Sequence, residues 1–236
     1  MNLVLLDSGD FIDPDHVRLK DRRFKHLVSV NKVMEKDRVV IGFLNGKIGF
    51  GMIQKLSHDF VDMQIILDHD PPDPLPLTLV LALPRPKMLK RIVESVTSLG
   101  VKNIYLINSW RVEKSFWQSP LVNQDQLEKQ MILGLEQSRD TVLPRIYQKR
   151  FFTGFVKEEL PLIAKDSLRI TAHPKASDTC PAGINKAITL VIGPEGGFID
   201  IEIDTLEQAG FVSYHIGPRI LRVETAVTYL ISRLYS

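Results

Sequence analysis

Apolar positions cluster most clearly near the C-terminus. Residues 188–192 (ITLVI) form a largely apolar strand that ends in Gly193-Pro194-Glu195-Gly196-Gly197. Helically spaced apolar positions follow, then a second apolar run at 211–216. That run ends in Gly217-Pro218-Arg219-Ile220-Leu221-Arg222, before a last amphipathic helix over 223–234. Twice, therefore, a strand reaches Gly-Pro and turns towards a helix. Upstream, 77–83 is a continuous apolar run of the kind expected for a parallel strand buried on both faces. Residues 87–99 place Met88, Leu89, Ile92, Val93, Val96 and Leu99 at helical spacing, with Gly100 as a stop. Short strands are expected at 104–107 and 168–172, and a helix over 123–138 burying Leu127, Met131 and Leu135. Residues 148–164 carry no clear period. Alternating strands and helices argue for an α/β domain with a mostly parallel sheet. In such a sheet ligands sit beyond the carboxyl ends of the strands, where glycines leave backbone N–H and C=O groups accessible.

The N-terminal third has a different period. Runs at 39–44 and 47–53 flank Asn45-Gly46, a pair suited to a type I′ hairpin turn, and 60–67 alternates partly. A small all-β barrel of about seventy residues fits this pattern. The stretch DHDPPDPLPL at 68–77 holds four prolines and breaks both helix and strand. The expected organisation is a β-barrel domain over 1–70, a stiff linker over 71–77 and an α/β domain over 78–236.

Composition adds limits. Of 236 residues 44% are hydrophobic and 25% charged, which is ordinary for a globular protein. A net charge of +2 means that any nucleic-acid affinity must come from local clusters. One such cluster, 11–31, carries Arg18, Lys20, Arg22, Arg23, Lys25 and His26, and fits a solvated face as well as an RNA surface. The lone Cys180 excludes an intrachain disulfide and a cysteine-based zinc site, and no metal is expected. No apolar run approaches the ~20 residues that span a bilayer. The start lacks the basic region of a signal peptide. A cytoplasmic location without membrane contact is the default expectation. No G-x-G-x-x-G or Walker A sequence follows a strand.

The pair GPEGG and GPRILRVETA resembles the C-terminal signature of the ribosomal small subunit RNA methyltransferase E family, of the SPOUT class. Ala172-His173-Pro174-Lys175-Ala176-Ser177 is similar to that family's HPRAS segment, and Glu136-Gln137-Ser138 to the start of its EQSGRxxVP. Departures are visible. His26–Lys32 matches HxxxVLR with Lys32 in place of Arg, and Lys36-Asp37 stands where Gly-Asp is expected. Ser98 replaces a Glu, Arg139-Asp140 replaces Gly-Arg, and Ile199 replaces a Ser or Thr helix cap, a role expected to pass to Asp200.

The resemblance implies a trefoil knot around the parallel sheet, a PUA-like or OB-like N-terminal barrel, and a homodimer. It implies S-adenosylmethionine as cofactor, and N3 of a uridine in the 16S ribosomal RNA of the small ribosomal subunit as the methylated atom. The cofactor residues it points to are His173, Ile192, Gly193, Pro194, Glu195, Gly196, Gly197, Ile216, Gly217, Ile220 and Leu221. Glu195 fits equally a role in bonding a backbone N–H and holding its loop. Arg222 and Glu224 are either a salt bridge opening the last helix or a catalytic pair. In the second case Arg222 stabilises charge on a uracil oxygen, and Glu224 orients it or accepts the proton. RNA contacts are expected from Arg22, Arg23, His26, Lys32, Arg85 and Lys87. Two other functions fit the same residues: a non-catalytic RNA-binding or ribosome-assembly protein, and a SPOUT enzyme with another RNA target.

Overall fold

The computed structural model describes residues 2–235. The chain forms two compact units, one of residues up to 73 together with 131–143, the other of 74–130 together with 144 onwards. The helix Gln124–Ser138 begins in the second unit and its latter half belongs to the first.

The first unit contains strands β1 (Val4–Leu6), β2 (Phe11–Asp13), β3 (His16–Leu19), β4 (Arg38–Phe43), β5 (Ile48–Leu56) and β6 (Val61–His69). They form one sheet in the order β1-β4-β5-β6-β3-β2, antiparallel except for β1 against β4. Among the described residues no ladder joins β1 to β2. Val17, Leu19, Ile41, Ile53, Val61 and Met63 are fully buried, as the period of two along each strand requires. The Asn45-Gly46 hairpin differs from expectation. The loop is closed by Gly46 N–H on the Phe43 carbonyl at 2.8 Å, and only Asn45 takes positive φ, at 58°. The turn is therefore not type I′, in which both central residues have positive φ.

This unit is not wholly β. Asp21 caps the helix Arg22–His26 by accepting from the Arg23 N–H, and a wider turn, Leu27–Asn31, closes on Lys32 at φ 52°. Arg23 points inward. Its guanidinium meets both carboxylate oxygens of Asp10 at 2.7 Å, the Leu5 carbonyl at 2.6 Å and Asp21, with its side chain only 9% exposed. Expected at an RNA surface, it is instead committed to the fold. The returning segment 131–143 is held in the same way. The Asn2 and Leu3 N–H groups both donate to the Glu136 carbonyl at 3.0 Å, and Arg22 grips the buried Glu136 carboxylate at 2.8 and 2.9 Å. Leu135 packs on Leu3 and Leu5. Lys36 and Arg139 both take positive φ, 75° and 58°. They occupy the two places where the resembled family carries glycine.

The second unit is the expected α/β layer. Strands β7 (Leu75–Ala82), β8 (Val101–Ile107), β9 (Arg145–Lys149), β10 (Leu168–Ala172), β11 (Ile188–Ile192) and β12 (Val212–Tyr214) lie in the order β12-β10-β11-β7-β8-β9. All neighbours are parallel. Every residue of β11 is buried. The helix Pro86–Ser98 buries Leu89, Ile92, Val93 and Val96 and stops at Gly100, φ 84°. It packs against the last helix, Val223–Tyr235, which buries Val227, Leu230, Ile231 and Leu234. The unreadable stretch after β9 is two helical turns around a wider one, burying Phe155, Val156 and Leu160.

Arg23→Ala is expected to destabilise the first unit by about 3–5 kcal/mol, the cost of stranding a buried partner. Calorimetry checks this; a loss under about 1 kcal/mol would mean that the pair contributes nothing.

Candidate active site

Parallel strands deliver their carboxyl ends to one side, so the loops after β10, β11 and β12 meet there. After β11 the chain turns through Gly193–Gly197, closed by the Gly197 N–H on the Pro194 carbonyl at 2.8 Å with Gly197 at φ 72°. A Cβ on Gly193 would come within 3.2 Å of the Phe198 ring and amide, so glycine lets the turn close down. The Arg111 guanidinium donates to the Gly196 carbonyl.

Buried Glu202 pins the start of the next helix, one oxygen accepting from Trp110 N–H at 2.8 Å and the other from Ile199 N–H at 3.0 Å. Ile199 itself is the capping position and Asp200 the first helical residue. Asp200 is therefore not the cap that was expected, and Glu202, at the third helical position, instead accepts from the N–H of the capping residue.

After β12, the Gly217 N–H donates to His215 Nδ1 at 3.0 Å, and Gly217 takes φ 120°, a conformation that favours glycine. After β10, the His173 N–H donates to the Tyr214 carbonyl at 2.9 Å. His173 Nδ1 is buried with no hydrogen-bond partner. Burial holds its imidazole pKa below the ordinary 6.5, and Lys175 adds to this while Asp200 and Glu207 oppose it.

These loops enclose a slot of about 210 Å³. All eleven residues expected at a cofactor line it: His173, Ile192, Gly193, Pro194, Glu195, Gly196, Gly197, Ile216, Gly217, Ile220 and Leu221. A wider trough of about 930 Å³ lies next to it. Arg85, Lys87, Arg222 and Glu224 line the trough, together with Met88, Phe116, Ser119 and Leu121. Glu195, Ile220, Leu221 and Val223 line both cavities and form their common wall.

Geometry bears on two questions that the sequence leaves open. Glu195 Oε1 accepts from the Arg85 N–H at 2.9 Å, so it ties the glycine turn to the start of the helix Pro86–Ser98. No ion pair joins Arg222 to Glu224, and among the described residues neither side chain has a polar partner. Arg222 is exposed and Glu224 half-buried.

The remaining expected residues, Arg22, Arg23, His26 and Lys32, belong to the first unit, where Arg22 and Lys32 are exposed. Sequence reasoning missed Phe198, Tyr214 and His215 in the slot and Met88, Phe116 and Leu121 in the trough. Only His215, two residues before Gly217, carried a local signal.

Residues 71–235 match the family described as RNA methyltransferase domain. The chain belongs to that family. Two similar members, each 28% identical across 96% of this chain, are named ribosomal RNA small subunit methyltransferase E. One is from Borreliella burgdorferi, with 94% of its length covered, and one from Treponema pallidum, with 87% covered. Among solved structures, a methyltransferase from Legionella pneumophila in complex with S-adenosylmethionine has TM-score 0.74 at 24% identity, covering 98% of this chain and 95% of that one. A ribosomal RNA small subunit methyltransferase E from Neisseria gonorrhoeae bound to S-adenosylmethionine has TM-score 0.74 at 20% identity, with the same coverage. At these identities the structural likeness concerns the fold, a mixed α/β architecture with a parallel sheet.

In this family member the slot's histidine is expected to titrate below 6.5 when followed by NMR. Lys175→Ala should raise that pKa only slightly, because burial is the larger cause. A folded pKa below the unfolded one means that the unfolded state binds the proton more readily. The stability His173 contributes is therefore complete above about 6.5 and lost as pH falls through the folded pKa. A measured pKa above 6.5 would contradict the burial seen here.

Proposed function

We propose that the slot binds S-adenosylmethionine, that the trough takes a uridine of 16S ribosomal RNA in the small subunit, and that the product is N3-methyluridine. The observation that carries this reading is the common wall, because methyl transfer needs donor and acceptor in adjoining compartments, held in line. The slot's residues suit the donor. Gly193, Gly196 and Gly217 carry no side chain to fill the slot, and Ile192, Ile216 and Leu221 supply apolar walls for a purine. The buried, unpartnered Nδ1 of His173 offers a hydrogen bond to an incoming polar group. When bound, the sulfonium supplies a transferable methyl group.

This chain's residues then do the rest. The Arg222 guanidinium, without a carboxylate partner among the described residues, is available to stabilise negative charge on a uracil oxygen as N3 loses its proton. Glu224, on the same trough, orients Arg222 or accepts that proton. Glu195 keeps the wall in place.

The same reading includes a trefoil knot, a barrel-like N-terminal RNA-binding domain, a homodimer and a cytoplasmic location. Supporting the knot, the end of the last helix is bonded to the loop before β11. Gly183 N–H reaches the Arg233 carbonyl at 3.1 Å and Ile184 N–H the Leu234 carbonyl at 2.6 Å. For a dimer, the exposed side chains of Trp110, Phe151 and Ile220 offer apolar surface. No helix among the described residues is long and apolar enough to cross a membrane.

Small subunits from cells lacking the endogenous uridine methylation, incubated with the protein and labelled S-adenosylmethionine, should yield labelled N3-methyluridine. Arg222→Ala should lower kcat/KM by roughly 10²–10³-fold with cofactor affinity unchanged. Label in a different nucleoside would sink the target assignment. Cofactor binding without any transfer to RNA would favour a non-catalytic RNA-binding role.

A further inference from the structure

Resting on that functional reading, we propose that Phe116 is the platform on which the target base stacks, with Met88 and Leu121 completing an apolar floor.

Phe116 lies in a short helical turn, Lys114–Trp117, in the segment between β8 and β9. It is the one aromatic residue lining the trough among the described residues. Several other rings in the same unit are engaged: Tyr105 stacks on Tyr147 at 4.7 Å, Phe152 meets Phe198 at 5.9 Å, and Arg150 lies over Trp117. Phe116 is half-buried and, among the described residues, takes part in no ring or cation contact of this kind. Its turn is fixed by Phe116 N–H on the Glu113 carbonyl at 2.9 Å and Ser119 N–H on the Phe116 carbonyl at 3.2 Å. The ring therefore stands on a backbone held by local bonds rather than on packing against another aromatic.

The charges around it match a nucleotide. Arg85, Lys87 and Arg222 line the same trough, and among the described residues none of their cationic groups has a carboxylate partner. The two carboxylates present are unequal competitors, since Glu195 is already bonded to the Arg85 N–H. Single-stranded RNA is held where an aromatic face stacks a base and nearby cations take the phosphates. An enzyme acting on a ring nitrogen that pairs in a duplex must take the base out of its stack, and a flipped base needs a new one. No residue of the 113–121 segment lines the slot. Phe116 thus acts on the RNA side alone and positions the base against the Ile220–Leu221 wall.

The test is steady-state methylation of unmethylated small subunits by Phe116→Leu, Phe116→Ala and Phe116→Tyr, with S-adenosylmethionine affinity measured separately by calorimetry. Leu keeps apolar bulk but loses the π face, so both it and Ala should lower kcat/KM for RNA by about five- to one-hundred-fold. Tyr should restore it, and cofactor affinity should stay within twofold throughout. An active Leu variant equal to wild type would overturn the proposal by showing that only packing matters. A parallel fall in cofactor affinity would do the same by showing a structural effect. Failure of the wild type itself to methylate RNA is a separate result, which removes the functional reading and this one with it.

Discussion

The site depends on β11 being buried on both faces. Ile188–Ile192 is paired in parallel with β7 on one side and β10 on the other, residue by residue from Ile188 against Leu77 and Leu168. Ladders on both edges and five consecutive buried side chains hold that strand in place, because a slip would break two sets of hydrogen bonds and repack both faces at once. Once the register is fixed, the turns after β10 and β11 and the helix start after β7 emerge at the same height. Glu195 then needs only one hydrogen bond to join the glycine turn to Arg85. The slot and the trough are consequences of that alignment.

Polar side chains divide accordingly. Glu202 has both carboxylate oxygens occupied by backbone N–H groups, Arg111 is bonded to the glycine turn, and Arg169 donates to the Ala209 carbonyl at 2.8 Å. Each is a scaffold bond that fixes a loop. Arg222, Glu224, Arg85 and Lys87 have no such commitment and share one trough. A charged side chain without a partner gives up the stabilisation a partner would bring, and a site that must bind charge requires groups left free in this way.

How much of this was legible depends on range. The strands over 168–172 and 188–192 and the helix stop at Gly100 were readable because a run of apolar residues or a single glycine states its own conformation locally. The Gly-Pro strand ends pointed to the slot for the same reason. Arg23 was misjudged because a basic cluster looks the same in sequence whether a side chain faces water or Asp10, thirteen residues away. The return of 131–143 to the first unit rests on Arg22 and Glu136, 114 residues apart, and no local pattern encodes such a pair. The hairpin was misread by one residue's φ. Lys36 and Arg139 show the converse: each holds a left-handed conformation that suits glycine and that its own residue type does not announce, at a cost of about 1–2 kcal/mol. Phe116 and Met88 lie on separate segments that only the sheet brings together.

The claim on which the account turns is that two adjoining compartments, divided by Glu195, Ile220, Leu221 and Val223, hold different molecules. A crystal structure of the protein soaked with S-adenosylmethionine tests it most directly. The account predicts density in the slot, against the backbone of residues 192–197 and 216–221, with the trough left open. Density in the trough, or a saturated crystal with the slot empty, would contradict it.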